Sequence, residues 1–164
     1  MAKKNPEKLK KIRNGLSEEL KDKTSFTLAD FVKVWNVKAM LELETDETKI
    51  KRVTSESFEA DSLEDKLKTL SELDGIGPPM ASAILSIKYP ERYSIIDKNC
   101  LTRLNREGTI GTTIPSLKKS PDSAIRLYKY YNEILDEKCQ KTGKKRIVVE
   151  LELFEEGQKQ KAKR

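Results

Sequence analysis

Histidine is absent from all 164 residues, and that absence removes more chemistry than any single motif adds. Without imidazole there are no histidine-built zinc sites, no serine–histidine triads and no histidine general base. Catalysis, if present, falls to Asp, Glu, Lys, Tyr, Cys, Ser or Thr. Cysteine is nearly absent too: Cys100 and Cys139, 39 residues apart, form neither a metal-ligand spacing nor a disulfide framework. No apolar run approaches membrane-spanning length, and the start MAKKNPEKLKK has no signal-peptide core. No membrane partner is therefore expected, and a reduced intracellular location (cytoplasm and nucleoid, or nucleus) is.

Apolar residues are scarce at 36% and charged ones abundant at 37%, against typical shares of about 45–50% and 25%. The charge is mixed, with 33 Lys and Arg against 27 Asp and Glu, leaving +6. That surplus favours a polyanionic partner, yet a highly solvated helical surface explains most of it equally well. The length suits one domain with one core, and a monomer is expected.

Helix signals dominate what is present. Asn5-Pro6 starts an amphipathic segment with Leu9, Ile12, Leu16 and Leu20 at helical spacing. Thr27 with Asp30 resembles a capping box before Phe31, Val32 and Trp35. Asp46 precedes a third helix carrying Ile50, Val53 and Phe58, and Ser62 with Asp65 caps a fourth carrying Leu63, Leu67 and Leu70. Pro78 suits the first position of a fifth, which Tyr89-Pro90 stops. Asp97 caps a sixth with Leu101 and Leu104. Gly108–Lys119 reads as a loop, and Ser120-Pro121 starts a helix carrying Ala124, Leu127, Tyr131 and Leu135. Ile147–Phe154 fits strand and helix patterns alike. No second strand-like segment could pair with it, so a helix is expected, followed by a frayed basic tail over 157–164. The fold class is all-α, a compact multi-helix domain spanning 1–164.

Two features carry chemistry. In LDGIGPPMASAIL (73–85), two glycines one residue apart permit positive φ and let a phosphate approach a helix N-terminus without a Cβ in the way. On the residues alone, the turn reads equally as a helix–helix corner. Twenty residues after Gly77, Asp97 stands alone ahead of a helix; aspartate is a favoured N-cap, which would explain it without catalysis. The two roles are compatible.

Taken together, LDGIGPPMASAIL and IIDKNCLTRLNR (95–106) resemble the hairpin and the essential-aspartate segment of the helix-hairpin-helix base-excision DNA glycosylase superfamily. Its members include endonuclease III and the adenine-mismatch and alkyladenine glycosylases. The hairpin would span about 63–88 and the aspartate-bearing helix about 97–107. Asp97, Asn99, Arg103 and Arg106 fall where the adenine glycosylases carry those residue types. Residues 28–104 resemble most a small subfamily of base-excision-repair-like proteins with A-S-A-I-L after the glycines. The resemblance covers about half the chain strongly.

The resemblance implies a mechanism. Gly75, Ile76, Gly77, Pro78, Met80 and Ala81 would hold a phosphate of double-stranded DNA, while the neighbouring nucleotide is flipped into a pocket. Lys98, Asn99 and Arg103 would add contacts, Lys98 to a phosphate. Asp97 would stabilise an oxocarbenium-like transition state and orient a water. Main-chain carbonyls of Ser71, Leu73 and Ile76 would bind a monovalent cation, and no other cofactor is expected. Pro79 occupies the place of the Schiff-base lysine of bifunctional members, so lyase chemistry by that route is not expected. Two cysteines cannot supply the four ligands of an iron–sulfur cluster. Trp35, the only tryptophan, suits a core position better than a stacking platform for a flipped base. Three functions remain: a monofunctional DNA N-glycosylase, a non-catalytic DNA-binding module, and a protein-interaction scaffold.

Overall fold

A computed structural model describes residues 6–38 and 46–161. These form eight helices and, among the described residues, no strand: α1 Pro6–Leu20, α2 Leu28–Lys38, α3 Glu47–Glu59, α4 Leu63–Leu70, α5 Pro78–Lys88, α6 Lys98–Arg106, α7 Pro121–Thr142 and α8 Arg146–Lys161. The all-α expectation holds. No described helix is long and apolar enough to cross a membrane.

Local signals set the helix starts. Thr27 and Asp30 cap reciprocally, the Asp30 N–H donating to Thr27 Oγ1 (3.2 Å) and the Thr27 N–H to Asp30 Oδ2 (3.0 Å). Asp46 accepts from the amides of Thr48 and Lys49, and Ser62 from that of Asp65. Lys66 reaches back from α4 to the carbonyls of Ser57, Phe58 and Ala60, closing the open end of α3. Lys88 does the same for α1 through Lys21 O and Lys23 O.

The core centres on α5, buried on almost every side from Pro78 to Ile87. Its small residues let α1, α2 and α4 approach closely. Leu20, Phe31, Val34, Ile50, Val53, Leu67 and Leu70 meet it or its neighbours as fully buried groups. The side chain of Trp35 and residues 39–45 lie outside the described set.

Three expectations need correction. The inward face of α1 is Arg13, Ser17 and Leu20, while Ile12 is 42% exposed. The helix is turned so that Arg13 meets a buried acid, Glu150 of α8, at 2.5 Å. Second, Ile147–Phe154 is helical, as expected, but without a single apolar stripe: Val149, Glu150, Leu151 and Leu153 are all buried. Burial of three consecutive residues, Val149 to Leu151, blurs the periodicity that separates helix from strand. Third, the tail does not fray at 157, because α8 continues to Lys161.

Between α5 and α6 the chain passes, without regular structure, through Ser94, Ile95 and Ile96, all buried. A buried backbone outside any helix must find partners, and here side chains supply them. The Ser94 N–H donates to Asn132 Oδ1 (3.1 Å), the Ile95 N–H to Glu150 Oε2 (2.8 Å) and the Ile96 N–H to Ser82 Oγ (3.1 Å). The Tyr128 and Tyr131 hydroxyls donate to Ser94 O and Ile95 O, each at 2.9 Å. Burial pushes both phenols well above their ordinary pKa, so they remain donors. Burial also opposes the charge on Arg13, but the Glu150 carboxylate outweighs it and raises the guanidinium pKa. The segment leading to Asp97 is thereby held from three helices.

Candidate nucleic-acid interface

After Leu70 the chain turns through Ser71–Gly77. Leu73 and Ile76 are buried and anchor the turn, with the Ile76 N–H on Leu73 O at 3.4 Å. Gly75 has φ +77°, the left-handed region that costs other residues about 1–2 kcal/mol. Gly77 differs. Its backbone is extended (φ −106°, ψ −179°), and an added Cβ would meet only Pro79 Cδ at 3.8 Å, ordinary contact. Nothing among the described residues demands glycine at 77.

Among the described residues the amides of Gly75 and Gly77 donate no hydrogen bond, and Gly75 is exposed. The helix start that follows offers less than expected. Pro78 and Pro79 have no N–H, and the Met80 and Ala81 amides both point at Gly77 O (3.1 and 2.9 Å). Pro78, Met80 and Ala81 are moreover buried, as is Ile76. Of the six turn residues expected to face DNA, two glycine amides remain accessible as donors.

Asp97 caps α6 and accepts from the Asn99 N–H at 2.7 Å; it is half-buried. Its neighbour Ile96 is fastened to Ser82, which lies about 7.5 Å along α5 from Gly77. The segment before Asp97 is therefore tied to the first half of α5, the helix that the turn opens. Lys98 is exposed, and its ammonium has no partner among the described residues. Arg103 is less available. It pairs with Glu156 of α8 and, at 3.0 Å, with Glu107, so two carboxylates face the charge expected to meet DNA. Asn99 is half-buried because α8 crosses its backbone: a Cβ on Gly157 would stand 1.9 Å from Asn99 O.

The carbonyls expected to take a cation fit that donor chemistry. Leu73 O carries one long hydrogen bond, while Ser71 O and Ile76 O accept none among the described residues. Neutral oxygens with unused lone pairs suit a hard monovalent ion. Two clefts, of about 660 Å³ beside Phe58, Lys88 and Tyr89 and about 580 Å³ beside Asn14, Ser17 and Arg146, include neither the turn nor Asp97.

Sequence reasoning missed the residues that position Asp97, namely Ser82, Tyr128, Tyr131, Asn132 and Glu150. One signal was available, a lone acid inside the apolar run Ile147–Phe154. It missed also Lys49 and Lys118, whose ammonium groups pair with Asp74 in the turn. Comparison with protein-family models, curated proteins and solved structures returns no match.

Proposed function

We propose that this chain is a DNA-binding protein of the helix-hairpin-helix base-excision type, acting as a monofunctional DNA N-glycosylase with Asp97 as its carboxylate. The observation that carries the reading is a pair of unengaged amides, Gly75 and Gly77, ahead of α5, the helix to which the segment before Asp97 is fastened through Ser82. A phosphate on those amides would hold one nucleotide of a duplex while its neighbour turns outward. Exposed Lys98 supports the same assignment as a second phosphate contact. A monovalent cation on Ser71, Leu73 and Ile76 would add positive charge behind the turn.

The chemistry follows from charge. As the bond from the anomeric carbon to the base breaks, positive charge develops on the sugar, and Asp97 stabilises it. A water oxygen then bonds to that carbon, Asp97 accepts the water's proton, and the base leaves carrying the bonding pair. Pro79 offers no amine, so no imine forms there and the strand stays whole.

Asp97→Asn isolates the carboxylate, because asparagine caps a helix as well as aspartate does. The variant should fold as the parent and bind duplex DNA while releasing no base from oligonucleotides bearing uracil, hypoxanthine, alkylated or oxidised bases, or mismatches. Release unchanged by the substitution removes Asp97 from the reaction. A second reading, a non-catalytic DNA-binding module, is favoured by the Asn99 bond, which gives Asp97 a full structural role. It expects salt-dependent binding and no base release from the parent on any substrate.

A further inference from the structure

Asp74 stands immediately before Gly75, at the tip of the α4–α5 turn, and its side chain is 74% exposed. Two lysines from distant parts of the chain converge on it. Lys118, from the loop ahead of α7, places Nζ 3.2 Å from Oδ1. Lys49, from the first turn of α3, places Nζ 3.8 Å from Oδ2. The nearby amides of Gly75 and Gly77 point to no protein acceptor among the described residues. One carboxylate thus faces two ammonium groups beside two unengaged amides.

We propose that Lys49 and Lys118 form a phosphate clamp flanking the turn, and that Asp74 is the place-holder a DNA phosphate displaces. The proposal rests on the DNA-binding reading above and adds residues to that surface. Exposed ion pairs are weak and screened by salt, so Asp74 gathers the lysines without competing strongly for them. A phosphodiester entering between the lysines could also accept from the glycine amides, which the Asp74 carboxylate does not do. Displaced, Asp74 remains a negative charge near the duplex, so it tempers affinity.

The test is anisotropy titration of a fluorescein-labelled duplex with the full chain, between about 50 and 200 mM salt. The doubly substituted Lys49→Gln, Lys118→Gln protein should bind more weakly, with the slope of log affinity against log salt shallower by about 0.9, the share of the one phosphate they hold. Asp74→Asn should bind about two- to fivefold more tightly. Lys141→Gln, about 30 Å along α7 from the loop, serves as control and should change neither quantity. All four positions are exposed or half-exposed, and circular dichroism checks that each variant folds. If the parent binds and its slope survives the double substitution, the clamp is refuted while the DNA reading stands. If Asp74→Asn binds no more tightly than the parent, the place-holder role is refuted. If the parent binds no duplex at the lowest salt, clamp and DNA reading fall together.

Discussion

Gly77→Ala separates a ligand's demand from the protein's own. The extended backbone at 77 accepts any residue, and the new methyl would meet only Pro79 Cδ at 3.8 Å. Two small terms act on stability: alanine is the poorer N-cap by about 0.5–1 kcal/mol, and it restricts the unfolded chain by about 0.4–1 kcal/mol in the opposite sense. They offset, so urea midpoints should agree to within about 1 kcal/mol. Binding has no such offset. A methyl at the N-cap stands where a phosphate would approach the Gly77 amide, and losing one charge-assisted hydrogen bond costs about 1.5–3 kcal/mol. That corresponds to roughly 10- to 150-fold in affinity. The salt slope should stay close to the parent's, because a neutral amide releases no counterion. Gly75→Ala is the necessary contrast, because at φ +77° it strains the fold itself by about 1–2 kcal/mol. Anisotropy titration of a labelled duplex reads affinity, and urea unfolding reads stability. A folded Gly77→Ala protein that binds DNA as tightly as the parent refutes phosphate contact at this turn.

The remaining predictions concern the scaffold around Asp97. Glu150→Leu strands the buried Arg13 charge and the Ile95 amide, and should cost about 3–5 kcal/mol by urea unfolding. Adding Arg13→Met should recover most of that, leaving about 1–3 kcal/mol for the Ile95 N–H; no recovery would show that the pair is not the cause. Gly157→Ala forces α8 off the Asn99 carbonyl and should cost about 1–3 kcal/mol. A neutral outcome contradicts that close approach. Asp30 is held below its ordinary pKa: burial opposes its charge, but hydrogen bonds from Lys23 and Thr27 outweigh that. The stability it contributes is present above about pH 3.8 and lost as pH falls through its lower folded value, so Asp30→Asn should flatten acid denaturation there.

What was legible in the sequence was what neighbours decide. The Ser62–Asp65 and Thr27–Asp30 caps, Pro78 at a helix start and Asp97 ahead of Asn99 each depend on residues within four positions. What escaped depends on distance. Arg13 and Glu150 are 137 residues apart, and nothing near Arg13 marks it as buried rather than Ile12. The same holds for Lys118 beside Asp74, 44 residues away. Within the candidate site, the Asp97 cap and the left-handed Gly75 were readable from local sequence, and the company they keep was not. The double proline was in plain view, yet its removal of two helix-start donors emerged only with Met80 and Ala81 turned onto Gly77. Arg103 reads as a free cation in sequence because Glu156 arrives from another helix.

The clamp on Ser94–Ile96 has a consequence for how this chain breathes. Those three amides lie outside any helix, where proton exchange with solvent is ordinarily fast. Their acceptors sit on α5, α7 and α8, between 14 and 55 residues away. No local fraying can release them; three helices must part first. They should therefore exchange as slowly as the core of α5, through global unfolding alone. Asp97 in turn acquires its geometry only when α7 and α8 have docked.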